Sequence, residues 1–452
     1  MHLLRHTLIP VPPSELFAWH MRPGAFSRLT PPWQTVRVVS AQPVANGSLT
    51  VLALKQGPLT LHWHALHSNV IPDREFTDTQ AKGPFKSWKH THRFLHGPTP
   101  NSSTLEDDIT FTFPLYVPSF ARRTIEQDIE RSFAFRHART LADLTRHAQF
   151  SAARAARNES PTLRAAISGS TGLIGSALTD FLTAGGHDVT RLVRRKPEHP
   201  GEASYTDLPD NLDAVIHLAG EPLAKGRWTK RKRDAILSSR VETTRTLAKS
   251  LAQLRRPPAT LIVASGAHFY GHRDDQDLTE DDGIGSGFVP EVVRDWEAAA
   301  EPARNAGIRV VHLRIGMVIS AKGGALGELL PVFHLGLGPI LGKGTQWWSW
   351  ISLDDVLYAI LHTLATPTLH GPINLTSPHP VTAAEFSRTL AHAVDRPLFA
   401  HVPTPALNLM LGEKAEVLTM STRVIPAKLR KANYRFEHLT LESALCHELG
   451  RS

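Results

Sequence analysis

Between Arg164 and Leu178 the chain runs Arg-Ala-Ala-Ile-Ser-Gly169-Ser-Thr-Gly172-Leu-Ile-Gly175-Ser-Ala-Leu, a short apolar strand passing through three spaced glycines into an apolar-periodic helix. No other stretch constrains the fold as much. Gly169 permits a tight turn off the strand, Gly172 lets the backbone approach a pyrophosphate, and Gly175 lets the helix pack close to the sheet. The helix N-terminal amides then face the phosphates, with Ser170, Thr171, Leu173 and Ile174 completing the cradle. A second apolar run, Val189-Thr-Arg-Leu-Val193, follows about 20 residues on, as a βαβ unit requires. A glycine-rich turn with no ligand is the competing reading, and the orderly succession of strand, turn, helix and strand speaks against it.

The second strand ends Val193-Arg194-Arg195, where an NAD site usually carries an acidic residue for the ribose hydroxyls. An arginine suits a 2′-phosphate, so Arg194 makes NADP the expected cofactor; a plain basic loop is the alternative. Further strands end in small or polar residues: Ala214-Val-Ile-His-Leu218-Ala219-Gly220-Glu221, Thr260-Leu-Ile-Val-Ala-Ser265 and Arg309-Val-Val-His-Leu-Arg314. Such ends let a cofactor lie across the carboxyl edge of a parallel sheet. A helix from Thr229 to about Leu254 separates two of them, and the alternation predicts an α/β, doubly wound parallel sheet of the Rossmann type.

At 452 residues the chain exceeds one ordinary core. Residues 1–150 are strand-rich, with strands expected at Leu3–Ile9, Thr35–Ala41, Ser48–Lys55, Leu59–Val70, Arg74–Thr79, Ser87–His96 and Asp107–Phe113, then a long helix from Ser119 to Ala148. An α+β sheet curling around that helix encloses a cavity. Residues 151–162 lose the apolar period and end near a proline, as a linker does. Residues 163–400 then form the nucleotide-binding domain, and 401–452 a small C-terminal lobe. His90 and His92 share one face of a strand, an arrangement open to a metal, but no third ligand stands nearby in sequence and no metal is assigned.

The net charge of +8 raises the question of nucleic acid. The densest basic run, Lys225 to Arg233, leads straight into a helix, and no recognised nucleic-acid motif accompanies it. It reads as a solvated helix entrance, or else as a contact for a phosphate-bearing cofactor or substrate. No apolar run reaches the ~18 residues of a membrane span and no secretory signal is visible, so a cytoplasmic setting is expected. The single cysteine, Cys446, falls in an apolar-periodic segment and is expected as a packed thiol.

The strand-rich segment, with Phe76-Thr-Asp-Thr-Gln-Ala-Lys-Gly-Pro-Phe-Lys-Ser-Trp-Lys-His-Thr-His92-Arg-Phe, resembles the helix-grip domains of the SRPBCC (START-like) superfamily, which implies a pocket for a hydrophobic or aromatic ligand. From about Leu163 to Leu449, Gly169-Ser-Thr-Gly-Leu-Ile-Gly175, Leu218-Ala-Gly-Glu-Pro222, Arg227-Trp-Thr229, Ser239-Arg240-Val-Glu-Thr-Thr244, Arg294-Asp-Trp-Glu-Ala-Ala299, Leu313-Arg-Ile-Gly316, Gln346-Trp-Trp-Ser-Trp-Ile351 and Asp354-Asp355 occur in order. They resemble the atypical short-chain dehydrogenases of the epimerase family, and Met420-Ser-Thr-Arg423-Val-Ile-Pro426-Ala-Lys-Leu429 is similar to that family's C-terminal module. The resemblance implies an oxidoreductase with Arg240 as a cofactor contact; an exposed helix arginine is the alternative.

Extended short-chain dehydrogenases place a tyrosine and a lysine one helical turn apart, so that the ammonium lowers the phenol pKa beside the nicotinamide. Aligning Glu297 with the acidic residue that follows that pair puts Val289 and Val293 in its place, and neither moves a proton. The expected substitutes are Ser265, Tyr270 and Glu221. Each has a plainer reading: a strand-end cap for Ser265, packing at a turn for Tyr270, a ribose contact or loop tie for Glu221. Arg314 either reaches the substrate or nicotinamide end or forms a salt bridge at its strand terminus. The segment Gly342 to Trp350 suits a substrate-covering loop, or a seam between lobes. Two functions remain in view: an enzyme turning over a carbonyl, alcohol or sugar-like small molecule, and a cofactor-dependent binding or sensing protein.

Overall fold

The computed structural model describes residues 1–223, 226 and 228–451, so Lys225 and Arg227 of the basic run and the Arg227-Trp-Thr229 motif lie outside the described residues or at their edge. The chain divides into two compact units, Met1–Pro161 with Asp180–Gly186 and Thr162–Thr179 with the chain from His187 on.

In the first unit seven strands, β1 (His2–Ile9), β2 (Thr35–Ala41), β3 (Leu49–Gln56), β4 (Leu59–Ile71), β5 (Glu75–Lys82), β6 (Ser87–His96) and β7 (Ser103–Thr112), form one antiparallel sheet in the order β1-β7-β6-β5-β4-β3-β2. Two short helices, α1 (Pro13–Met21) and α2 (Ala25–Leu29), follow β1, and α3 (Ser119–Ala155) closes the unit. Phe133, His137, Thr140 and Leu144 on α3 are buried at helical spacing, and His137 ties the helix to the sheet through Thr7 (2.8 Å) and Asp107 (3.1 Å). This is the expected helix-grip architecture. Two boundaries differ from expectation. Strand β7 begins at Ser103 rather than Asp107, because the whole stretch pairs with β1 and β6. Helix α3 continues to Ala155, so the first residues of the expected linker 151–162 are helical; alanines at 152, 153 and 155 sustain a helix without an apolar stripe.

In the second unit β8 (Arg164–Ser168), β9 (Asp188–Val193), β10 (Glu202–Ser204), β11 (Ala214–His217), β12 (Thr260–Gly266), β13 (Arg309–Ile315) and β14 (Gly371–Leu375) pair in parallel, in the order β10-β9-β8-β11-β12-β13-β14. The order reverses between β8 and β11, which opens a crevice at their carboxyl ends. Helices α4 (Leu173–Ala184), α5 (Lys230–Ala252) and α6 (Phe288–Ala298) join the strands. The inner strands are buried on both faces, as crossover helices require, and Ala166, Val215, Leu261, Val263 and Val310 share one core with Leu247, Leu251 and Trp296. The small lobe builds its own core from both sides of residue 400, with Leu326, Phe333, Trp348, Trp350 and Phe386 packed with Leu407 and Leu445. No helix among the described residues is long and apolar enough to cross a membrane.

Candidate cofactor and catalytic site

The glycine turn sits where β8 meets α4, at the sheet's reversal. Gly169 has φ +70°, a left-handed conformation, and a Cβ there would stand 2.8 Å from the backbone of Leu218 and Ala219 at the end of β11. At Gly175 a Cβ would come within 2.1 Å of the Gly169 carbonyl oxygen. Gly172 differs: a Cβ there meets only that same oxygen, at 3.3 Å, and the residue is exposed beside exposed Thr171. Two glycines therefore serve the packing of strand, turn and helix, while the third leaves an open backbone surface at the mouth of α4. That is the division of roles a pyrophosphate cradle needs.

Two arginines follow β9, and the structure separates them. Arg195 is held by Glu202 through both terminal nitrogens, at 2.9 and 2.7 Å. Arg194 is exposed and forms no hydrogen bond or ion pair among the described residues; its charge is felt by Tyr205 and Glu221. Arg240 is buried rather than exposed. Its guanidinium carbon lies 3.3 Å from where a Gly220 Cβ would stand and 5.0 Å from the Trp296 ring centre, and its only hydrogen bond among the described residues goes to the Ile236 carbonyl. Burial pushes it down to about 10, with Glu221 opposing. A buried guanidinium with no carboxylate in contact, beside the Leu218-Ala219-Gly220 strand end, is a cation placed for an anion. The cradle and these two cations fit a phosphorylated dinucleotide.

Ser265, Arg314 and Asn374 stand in register across β12, β13 and β14. Glu297, from α6, joins the first two: its Oε1 accepts from Ser265 Oγ at 2.6 Å and from Arg314 Nε at 2.9 Å, and its Oε2 accepts from Arg314 Nη2 at 2.9 Å. Arg314 Nη1 donates to the Tyr270 hydroxyl at 3.0 Å, which donates in turn to Asn374 Oδ1 at 2.6 Å. Burial works against both charges, but the Arg314 guanidinium outweighs it and holds the Glu297 carboxyl below its ordinary value, while Glu297 holds Arg314 above its own. Ser265 therefore points its proton at an ionised carboxylate and keeps its lone pairs for an external donor.

Tyr270 is fully buried with its hydroxyl engaged on both sides, and burial, opposed by Arg314, pushes it up to about 12. That hydroxyl joins Arg314 to Asn374, and a phenol held so high keeps its proton at neutral pH. Glu221 lies apart from this group, accepting from Lys232 Nζ at 2.6 Å, which holds its carboxyl below the ordinary value. Of the three expected proton carriers, Ser265 and Tyr270 belong to this hydrogen-bonded group and Glu221 does not. Glu297 and Asn374 complete it, and sequence reading used Glu297 only to set an alignment.

Val289 and Val293 are buried on α6, packed with Trp228 and Ile236. Val293 lies 3.7 Å from where a Gly266 Cβ would stand, immediately beyond Ser265. In the tryptophan segment Trp348 Nε1 donates to the Leu418 carbonyl and Trp350 Nε1 to that of His379, both indoles lying in the small lobe's core. Asp355 ties that lobe down, accepting from the backbone N–H groups of Glu437 and His438 and from the Tyr434 hydroxyl.

The NAD dependent epimerase/dehydratase family matches residues 165–375. The epimerase family protein Mb2239 of Mycobacterium bovis is 41% identical over 296 residues, covering 63% of this chain and 97% of its own length. The chain belongs to the epimerase family. The human epimerase family protein SDR39U1, whose isoform 2 was solved with NADPH, superposes with a TM-score of 0.60 at 33% identity, over 64% of this chain and 99% of that one. The nucleoside-diphosphate sugar epimerase of Corynebacterium glutamicum matches with a TM-score of 0.80 at 31% identity, over 99% of this chain and 90% of that one. Around the epimerase-family portion, residues 9–136 match the polyketide cyclase / dehydrase and lipid transport family, and 402–448 match a domain of unknown function, DUF1731.

Proposed function

We propose that this epimerase-family protein is an NADP(H)-dependent oxidoreductase acting on a small carbonyl, alcohol or sugar-like substrate, with Ser265 backed by Glu297 as its proton-handling pair. The observation that carries it is the relay at the carboxyl edge of the sheet, where a serine hydroxyl is hydrogen-bonded to a carboxylate that an arginine keeps ionised. Gly169, Ser170, Thr171, Gly172, Leu173, Ile174 and Gly175 would hold the pyrophosphate, Arg194 the 2′-phosphate, and Leu218, Ala219, Gly220 and Arg240 the nucleotide against the strand ends. The nicotinamide supplies hydride exchange.

Ser265 Oγ accepts a hydrogen bond from a substrate hydroxyl. As that proton moves to Ser265, the serine's own proton passes to Glu297 Oε1, and Arg314 stays in place on the now neutral acid. Tyr270 and Asn374 hold Arg314 at the height that makes this possible, as positioning residues. Arg314 keeps Glu297 ionised at rest, in the form that takes a proton, and the same charge makes protonated Glu297 give that proton back readily. The first unit, by its likeness to polyketide cyclases and lipid transport domains, is proposed to take a hydrophobic or aromatic ligand, and an apolar fluorescent probe displaced by such ligands from the full chain tests that.

A second reading, binding or sensing of NADP(H) without turnover, rests on the two buried valines at the positions aligned with the usual catalytic pair. One experiment separates the two: cofactor turnover by the full chain across a panel of alcohols and carbonyls, beside Ser265→Ala. Turnover that falls roughly 100-fold in the variant with NADPH affinity kept supports the enzyme. Tight NADPH binding with no turnover across the panel supports the sensor, and absence of NADPH binding overturns both.

A further inference from the structure

We propose that the helix-grip unit binds one divalent transition-metal ion of the zinc class through Asp78, His90 and His92. The sequence shows no third ligand close to the two histidines. The sheet supplies it, because Asp78 on β5 is the direct cross-strand partner of His90 on β6. Asp78 Oδ2 lies 3.1 Å from His90 Nδ1 and 3.6 Å from His92 Nε2, and the three ligand atoms lie within 4.8 Å of one another. Ligand atoms on a tetrahedral ion with bonds of about 2.0–2.1 Å stand about 3.3–3.4 Å apart. All three side chains sit on adjacent strands, so the spacing is fixed by the sheet ladder.

A second observation comes from the opposite edges of the same rings. Asp107, the cross-strand partner of His92 on β7, brings Oδ1 to 3.2 Å from His90 Nε2 and 2.9 Å from His92 Nδ1. Yet these three buried atoms make no hydrogen bond of proper direction. A metal on the Asp78 side would turn the two rings onto it and leave the other nitrogen of each protonated and facing Asp107. That is the outer-sphere carboxylate commonly found behind metal-bound histidines. His137 Nε2 already donates to the other Asp107 oxygen at 3.1 Å.

Two histidines and one carboxylate leave coordination positions for water or an oxygen atom of a ligand, which suits a site that acts on or grips a carbonyl compound.

The test uses the full chain, stripped with a chelator and then titrated with zinc or cobalt(II) chloride. Expected are one zinc per chain, and for cobalt the intense visible absorption of a four- or five-coordinate ion. Asp78→Asn and His92→Gln should each weaken zinc binding roughly 100-fold, and Asp107→Asn roughly 10–100-fold, with the chain's NADPH affinity unchanged. No saturable binding, a weak six-coordinate cobalt spectrum, or unaltered zinc affinity in a His90→Gln, His92→Gln double variant would each overturn the proposal. The cobalt spectrum of the unaltered protein decides it even where a variant fails to fold.

Discussion

Glu297 grips the Arg314 guanidinium with both carboxylate oxygens at 2.9 Å each, and only one of those oxygens, Oε1, also receives the Ser265 proton. The carboxylate arrives from α6 and the guanidinium from β13, so neither is placed by its neighbours in sequence. Their union makes Ser265 an acceptor rather than an idle strand-end hydroxyl.

Removing the charge should therefore damage both stability and chemistry. Glu297→Gln leaves a buried guanidinium facing an amide donor, and a broken buried pair costs about 3–5 kcal/mol. Urea midpoints check that loss. Turnover should fall roughly 10²–10⁴-fold with NADPH affinity kept, and loss of cofactor binding at unchanged chemistry would contradict the assignment.

Arg194 and Arg195 make a matched pair for testing cofactor choice. Arg195 is occupied by Glu202, whereas Arg194 is available to a 2′-phosphate. Arg194→Ala should weaken NADPH roughly 10–100-fold, the worth of a hydrogen bond to a charged group, and leave NADH unaffected. Arg195→Ala should change neither. Isothermal titration with the two cofactors is the measurement.

The cradle's glycines should respond differently. Gly175→Ala drives a methyl to 2.1 Å from a carbonyl oxygen and should cost several kcal/mol, seen as lost soluble protein or a lower melting temperature. At Gly172 an added Cβ meets nothing closer than 3.3 Å and the site is exposed, so Gly172→Leu should fold normally while losing NADPH. A Gly172→Leu protein that bound NADPH as tightly as its parent would remove the cradle from the account.

Acid should loosen the second unit. His217, hydrogen-bonded to Ser168 at 2.6 Å, is pushed down to about 4 by burial, and His312 likewise, with Glu297 opposing. A depressed histidine favours folding in its neutral form. Its contribution is whole above about pH 6.5 and is lost as pH falls toward 4, up to about 3 kcal/mol for each group. The urea midpoint should drop between pH 6.5 and 4.5, and His217→Asn should flatten that slope.

Local patterning was enough to reveal the strand, glycine turn and helix at Arg164–Ala184, the basic end of β9 and the strand-rich first domain, since each is written in residues close together along the chain. The glycines are legible because their roles are backbone roles. The end of α3 was missed because polar, alanine-rich residues extend a helix without an apolar period, and nothing in its own helix shows that Arg240 is buried against Trp296.

Only the tertiary structure decided the chemistry. Ser265, Glu297, Arg314, Tyr270 and Asn374 are joined by sheet register and by a helix lying over it, and Asp78, His90, His92 and Asp107 by cross-strand pairing. Partner choice between distant side chains depends on strand order and packing, which no local pattern encodes. The sequence alone determined that a parallel nucleotide-binding sheet forms; the fold determined which of its polar residues stand as donors, acceptors and ions.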